Sequence, residues 1–194
     1  MWPLLLSAVF ALTVIFERLY SFKKRFLTPP TLVREVLEYV KSGNLAQADK
    51  LCEKNQTPVS SVLGSGIEHF SNPVEEMELA MKNQAEEWMP LLEKRIEIID
   101  TVITAAPLMG LLGTITGMMA SFRVLSESGV NEPNAITGGV AEALIATATG
   151  LVIALICLVA YNYISRRIKE FIYEIEGAAS KLVEARMATE RTSK

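Results

Sequence analysis

Residues 135–163 read AITGGVAEALIATATGLVIALICLVAYNY, and this stretch decides the fold class of the chain. Its only charged side chain is that of Glu142. A helix needs about 20 mostly apolar residues to cross the hydrocarbon core of a bilayer, and this stretch exceeds that length. It therefore predicts a membrane-spanning helix.

Two other stretches are apolar enough to cross a membrane. Residues 98–122 form one, and residues 1–22 form the other, with no charge between Leu4 and Phe16. Of the 194 residues, 50% are hydrophobic, and the mean hydropathy is +0.28. A soluble domain of this length usually lies below zero on that scale. The sequence therefore predicts an all-α membrane protein with three transmembrane helices.

The basic residues predict how the three spans are oriented. Clusters of Lys and Arg follow the first span at 23–25 and the third at 166–169, whereas the link at 123–134 has none. Basic clusters favour the cytoplasmic side, so the amino end is expected outside and the carboxyl end inside. Residues 1–22 lack the basic start and cleavage pattern of a secretory signal, and we interpret them as a retained span.

Residues 23–97, between the first two spans, have the apolar spacing of short helices. Residues 32–40 follow it, Gly43 is placed to end that helix, and Asn44 can cap the next. Together with the orientation, this pattern predicts a small helical bundle in the cytoplasm.

Two of the helices are expected to be much longer than the bilayer is thick. From Val74 no convincing stop occurs before Phe122, because Pro90 and Pro107 would kink a helix rather than end it. The helical pattern of the third span likewise continues through residues 164–194. The sequence therefore predicts that the second and third spans extend into the cytoplasm.

Composition excludes several classes of function. The net charge of −3 argues against a generally basic nucleic-acid binder. One His, His69, and two Cys, Cys52 and Cys157, are too few for a zinc cluster or a disulfide scaffold. No nucleophile elbow or phosphate-binding glycine loop occurs, so we expect no enzyme, no cofactor and no metal.

Glu142 is the residue that carries the strongest functional signal. A carboxylate at mid-membrane costs about 2.5–3.5 kcal/mol on insertion scales, so it usually faces water or the interior of a helix bundle. One interpretation is a side chain that snorkels to the outer surface or caps the packing. The other is a proton or ion site.

Three threonines accompany Glu142. Thr149 lies almost two turns after Glu142 and shares its face, whereas Thr147 lies further round the helix. Thr114 lies in the second span. Each could line a pore or simply make hydrogen bonds inside the bundle, and the spacing leaves both open.

Small residues recur every three or four positions in both later spans, which lets helix backbones approach closely in lipid. This pattern indicates packing and an oligomer rather than chemistry. The positions assigned to packing are Pro107, Gly110, Gly113, Gly117, Gly138, Gly139 and Gly150.

Two long motifs resemble those of the MotA/TolQ/ExbB proton-channel family. Residues 106–118, APLMGLLGTITGM, look like its second-span signature, and residues 139–151, GVAEALIATATGL, look like its third-span signature. Glu17-Arg18 at the inner end of the first span, which we expect to be an interfacial pair, also fits. The likeness covers nearly the whole chain and is strongest to the ExbB/TolQ branch.

The resemblance implies a proton-channel or stator subunit in the inner membrane of Gram-negative bacteria. Five copies would surround a single-span ExbD- or TolR-like partner within the membrane lipids, and a TonB- or TolA-like protein would carry work to the outer membrane. It further implies that Glu142, Thr147 and Thr114 face the pore, while the partner supplies the proton-carrying Asp. A role in TonB-dependent uptake, a Tol-Pal role in envelope integrity and a non-conducting membrane scaffold remain the alternatives.

Overall fold

The computed structural model describes residues 2–25, 28–128 and 133–192, and within these ranges the chain is helical with no strand. The all-α prediction is therefore confirmed. The helices are α1 (Trp2–Arg25), α2 (Leu32–Lys41), α3 (Leu45–Asn55), α4 (Pro58–Glu68), α5 (Val74–Glu93), α6 (Ile96–Ser128) and α7 (Pro133–Thr192).

Three stretches in the described part of the chain are long and apolar enough to cross a membrane: residues 4–22 in α1, residues 74–126 across α5 and α6, and residues 137–189 in α7. With 33 and 60 residues, α6 and α7 are about 50 and 90 Å long. Both exceed the hydrocarbon thickness of about 30 Å. α7 therefore extends far beyond the apolar residues 135–163, as expected. α6 begins at Ile96, so the extension expected before residue 98 lies in the separate helix α5.

The expected uninterrupted helix from Val74 to Phe122 is wrong. α5 ends at Glu93, α6 begins at Ile96, and Arg95 between them has φ +62°, in the left-handed region. The Arg95 guanidinium donates a hydrogen bond to the Glu17 carboxylate of α1. A left-handed conformation costs a non-glycine residue about 1–2 kcal/mol, and this partly exposed ion pair offsets only part of that cost.

Helix continues into the residues 123–134 expected to link the last two spans. α6 continues to Ser128 and α7 begins at Pro133. Glu132, expected in this link, lies outside the described residues. Pro107 lies inside α6, as the pattern predicted.

One compact unit contains α1 up to Arg18 together with residues 95–164. In it α6 and α7 run antiparallel and approach closely where glycines face small residues. A Cβ built on Gly113 would lie 2.7 Å from the Ala146 Cβ, closer than real Cβ atoms approach one another. The helices can therefore lie this close only because glycine has no side chain.

The second unit contains residues 19–94 and 165–194. The described part of α7 beyond residue 164 packs against α2–α5. The Asn44 side chain caps α3 by accepting from the Gln47 N–H, and Thr57 and Ser60 form a capping box at α4. The larger apolar side chains of its core include Leu32, Val36, Leu63, Met77, Met81, Ile175 and Leu182.

Cys52 belongs to this core and is 4% exposed. Burial, with a smaller contribution from Asp49, raises the pKa of its thiol from about 9 to about 12. Above pH 9 the unfolded chain releases this proton while the folded chain keeps it. The contribution of Cys52 to stability is therefore lost as the pH rises from about 9 to 12.

The α6–α7 contact predicts that Gly150→Ala is destabilising. A Cβ on Gly150 would lie 2.5 Å from the Ala106 carbonyl oxygen, which is backbone and cannot rotate away. The expected loss in free energy of unfolding is about 1–3 kcal/mol, despite the better helix propensity of alanine. Unfolding of the purified protein in detergent measures it.

Gly138→Ala is the matched control in the same helix. Among the described residues, a Cβ on Gly138 would meet no atom within 4 Å. As a monomer in detergent, this variant should unfold like the parent protein or slightly later. Equal stability of the Gly150 and Gly138 variants would contradict the packing assigned to Gly150.

Burial of Cys52 predicts that its thiol reacts slowly with a maleimide in the folded protein. In a Cys157→Ala background at pH 8, unfolding should raise the rate about a hundredfold or more, because only the thiolate reacts. Glu53→Cys, in a protein lacking both natural thiols, is the exposed control on the same helix. A native Cys52 that reacts as fast as the thiol introduced by Glu53→Cys would show that this core is open.

Candidate functional site

Glu142 lies in α7 beside the stripe that packs against α6. Its neighbour Ala143 and the next small residue on that stripe, Ala146, are both buried. Glu142 itself is exposed in the single chain and has no hydrogen-bond or ion-pair partner among the described residues. The carboxylate therefore stands on one flank of the α6–α7 pair.

Thr149 lies on the same flank as Glu142, as its spacing predicted. Seven residues correspond to almost two full turns, so the two side chains share a face about 10 Å apart along the helix. The Thr149 hydroxyl donates to the Ile145 carbonyl oxygen at 2.7 Å. Its only donor is thus used within the helix, and its oxygen remains available as an acceptor.

Thr147 occupies a different position. It lies five residues after Glu142, about 140° around the helix. Its half-buried hydroxyl donates to the Gly110 carbonyl oxygen of α6 at 3.0 Å. Of the two uses the sequence left open for Thr147, the structure shows the hydrogen bond between helices.

Thr114 lies one turn after Gly110 and therefore on the Thr147 side of the pair. Its hydroxyl donates to the Leu111 carbonyl oxygen at 2.6 Å. The four polar residues predicted to line a path are thus divided between two flanks. Glu142 and Thr149 lie on one, and Thr147 and Thr114 lie on the other.

The glycines assigned to packing differ in what surrounds them. Built Cβ atoms on Gly110 and Gly117 would lie 3.0 Å from the Ala146 carbonyl oxygen and 2.9 Å from the Ala143 Cβ. Gly139 lies against the side chain of Ser121, a buried residue that the sequence did not single out.

Gly138 lies on the open side of α7, one turn before Glu142. Since it meets none of the described side chains, a packing role for it remains a prediction about a neighbouring chain. Gly138 also leaves the carboxylate of Glu142 accessible from the adjoining turn. The flank that holds Glu142 and Thr149 therefore has a small residue beside its carboxylate.

One ion pair near the inner end of the first span was not expected from the sequence. Glu17, expected at the interface together with Arg18, forms an ion pair with Arg95, and Arg18 is buried. No sequence signal marks this contact, because the partners are 78 residues apart.

The basic cluster after the third span is partly neutralised by an acidic residue. Arg167 and Arg166 both hydrogen-bond to Glu170, and these bonds hold the pKa of its carboxyl below the usual value. Acidic residues contribute little to the orientation of a span, so the expected orientation is unaffected. The residues that the structure describes contain no group of three or more His, Cys, Asp or Glu that could hold a metal ion.

Comparison with known proteins identifies the family. The sequence profile described as the MotA/TolQ/ExbB proton channel family matches residues 54–177, a range that includes Glu142 and all three threonines. The chain is 33% identical over 162 residues to the putative biopolymer transport protein ExbB-like 3 of Synechocystis. That alignment covers 82% of this chain and 77% of the relative.

Shorter matches reach both named branches. ExbB of Aquifex aeolicus is 40% identical over 86 residues, 44% of this chain and 58% of that protein. TolQ of Haemophilus influenzae is 40% identical over 92 residues, 47% of this chain and 39% of that protein. With its apolar helices, its profile match and these relatives, the chain is a multi-pass membrane protein that belongs to the MotA/TolQ/ExbB proton channel family.

Proposed function

We propose that this protein is an ion-channel subunit of the bacterial inner membrane that couples the proton motive force to work on an outer-membrane system. The observation that carries the proposal is the position of Glu142, an exposed carboxylate on the open flank of two tightly packed apolar helices. A membrane scaffold has no need of a charge there.

The flank that bears Glu142 has to face something other than lipid. A carboxylate against hydrocarbon is costly, and such residues normally face water or a neighbouring polar group. α6 contacts the Ala143 and Ala146 stripe rather than Glu142, so in the proposed assembly other chains enclose the carboxylate. A ring of five copies around a single-span ExbD- or TolR-like partner would enclose it.

The two flanks have different roles in this proposal. Glu142 and Thr149 line the ion path, with the proton-carrying Asp on the partner. Thr147 and Thr114 support the path from the other flank, where the Thr147 hydroxyl joins α7 to α6. A proton crossing the membrane releases about 2.3 kcal/mol per 100 mV, so a few protons suffice to move a partner against modest contacts.

The proposed topology places residues 1–22, 98–122 and 135–163 in the membrane. Residues 23–97 and 164–194 lie in the cytoplasm and residues 123–134 in the periplasm, because the basic clusters favour the cytoplasmic side. The driven process is TonB-dependent uptake or the Tol-Pal system. Relatives carry both names, and the partner decides between the two.

Glu142→Gln is expected to abolish gradient-dependent function while the protein still inserts and assembles. The substitution keeps the size of the side chain and removes its charge. The measurement is restoration of energised uptake or envelope integrity in cells lacking their own subunit, together with the mass of the purified complex. Full gradient-dependent function in this variant would favour the alternative that the protein is a non-conducting membrane scaffold.

Glu170→Gln provides a charge control in the same helix. Glu170 lies outside the proposed span and pairs with Arg166 and Arg167. Its neutralisation should leave gradient-dependent function within about twofold of the parent, since exposed ion pairs contribute little. An equal loss of gradient-dependent function in the Glu142→Gln and Glu170→Gln variants would mean that function depends on the total charge of α7 and not on Glu142 in particular.

Gentle extraction from native membranes is expected to yield five copies with a small single-span protein that carries an Asp within its span. Native mass spectrometry gives the copy number and the mass of the companion. Sequencing the companion then separates the TonB-linked role from the Tol-linked role. A monomer, or a complex with cytoplasmic proteins alone, would refute the proposed channel.

A further inference from the structure

An apolar groove with an acidic rim lies in the unit formed by α2–α5 and the described part of α7 beyond residue 164. Its volume is about 470 Å³, and its floor includes Met81, Ala85 and Ile175. The rim bears Glu78, Glu86, Glu176 and Lys82.

The rim of this acidic groove has an excess of negative charge. Lys82 lies 3.9 Å from Glu86 and partly neutralises it. Glu78 and Glu176 are exposed and have no ion-pair partner among the described residues. The groove therefore fits an occupant that brings apolar side chains and positive charge together.

The same unit carries a surface with the complementary properties. Val33 and Leu37 of α2 are half-buried there, and Arg34, Lys41 and Lys181 surround them. Arg34 lies 3.9 Å from Glu38, while Lys41 and Lys181 have no ion-pair partner in the described part of the chain. We name this surface the basic face.

The acidic groove and the basic face lie on different sides of α7. Ile172, Glu176, Ala179 and Val183 of the groove fall within about 60° of one another around the helix, and Lys181 points about 170° away from them. A single chain therefore cannot bring its own α7 residues of the two surfaces together. Both surfaces remain available to other copies.

We propose that the basic face of one copy docks on the acidic groove of the next copy. Charge complementarity between two different surfaces makes such a contact head-to-tail, and a head-to-tail contact generates a closed ring when its rotation closes. The half-buried Val33 and Leu37 cover the apolar floor of the groove. Lys41 and Lys181 neutralise Glu78 and Glu176 at its rim.

This contact rests on the proposed function only in requiring that several copies assemble. It adds which surfaces join them outside the membrane helices. Each copy contributes both surfaces, so a ring leaves none of them uncovered, whereas an open chain would leave one groove and one basic face exposed.

Disulfide cross-linking between two tagged forms tests the contact in the full-length protein. Both forms carry Cys52→Ala and Cys157→Ala. One adds Lys41→Cys and the other adds Glu78→Cys, so a product with both tags forms only between copies. Under mild oxidation in native membranes, this product is expected in high yield.

Lys54→Cys replaces Lys41→Cys in the control pair. Lys54 is an exposed lysine of α3 outside both surfaces. This pair should give several times less product than the Lys41 pair. Equal yields, or no product from the Lys41 pair in assembled complexes, would overturn the proposal. So would a Glu78→Cys form that cross-links to a different protein instead.

Charge reversal separates docking from chance proximity. Glu86→Lys and Glu176→Lys, added to the form that carries Glu78→Cys, should lower the yield by about fivefold, the size expected for exposed charge pairs. Arg34→Glu and Lys181→Glu in the other form should restore it. If the cross-linking yield is not restored in complexes of normal mass, the proposed pairing of charges between the two surfaces is wrong.

The outcomes distinguish this contact from the proposed function. If the cross-link fails while gradient-dependent function still requires Glu142, the contact is wrong and the proposed function stands. If the cross-link forms while Glu142→Gln keeps full function, the copies assemble as inferred and the channel is wrong.

Discussion

The close approach of α6 and α7 is the constraint on which the membrane unit depends. Gly110, Gly113 and Gly117 on α6 face Ala143, Ala146 and Gly150 on α7, and a methyl group at the tightest of these positions would collide with backbone. In lipid the hydrophobic effect does not hold helices together, so packing at this distance and hydrogen bonds such as that from Thr147 to Gly110 have to do so. The stripe also fixes the rotation of α7, and with it the direction in which Glu142 points.

Local sequence signals predicted much of this structure. Hydropathy located the three apolar helices, and Gly43 and Asn44 marked the turn between α2 and α3, because turns and caps depend on neighbouring residues. The break before α6 could not be predicted in this way. It coincides with Arg95, which has a left-handed backbone and hydrogen-bonds to a carboxylate 78 residues earlier in the chain.

The candidate site likewise has features that local sequence predicted and features that depend on another helix. The spacing of Glu142 and Thr149 placed them on one face, since a shared face follows from helix geometry alone. The role of Thr147 depended on which backbone carbonyl of α6 came within reach, and helix spacing within α7 contains no information about α6. The family resemblance placed Thr147 and Glu142 in one pore, but within a single chain they lie on opposite flanks.

This separation has a consequence for how an ion path could be built. A hydroxyl that already donates to a carbonyl of the neighbouring helix keeps only acceptor capacity, and turning it toward a path would cost the bond that joins α7 to α6. Glu142 has no such bond among the described residues and can change partners without loosening the pair. A side chain that exchanges partners while the helices stay fixed suits the binding and release of an ion. In the proposed channel that side chain is Glu142, which would act beside the proton-carrying Asp of the partner, one residue away from the stripe that holds the helices together.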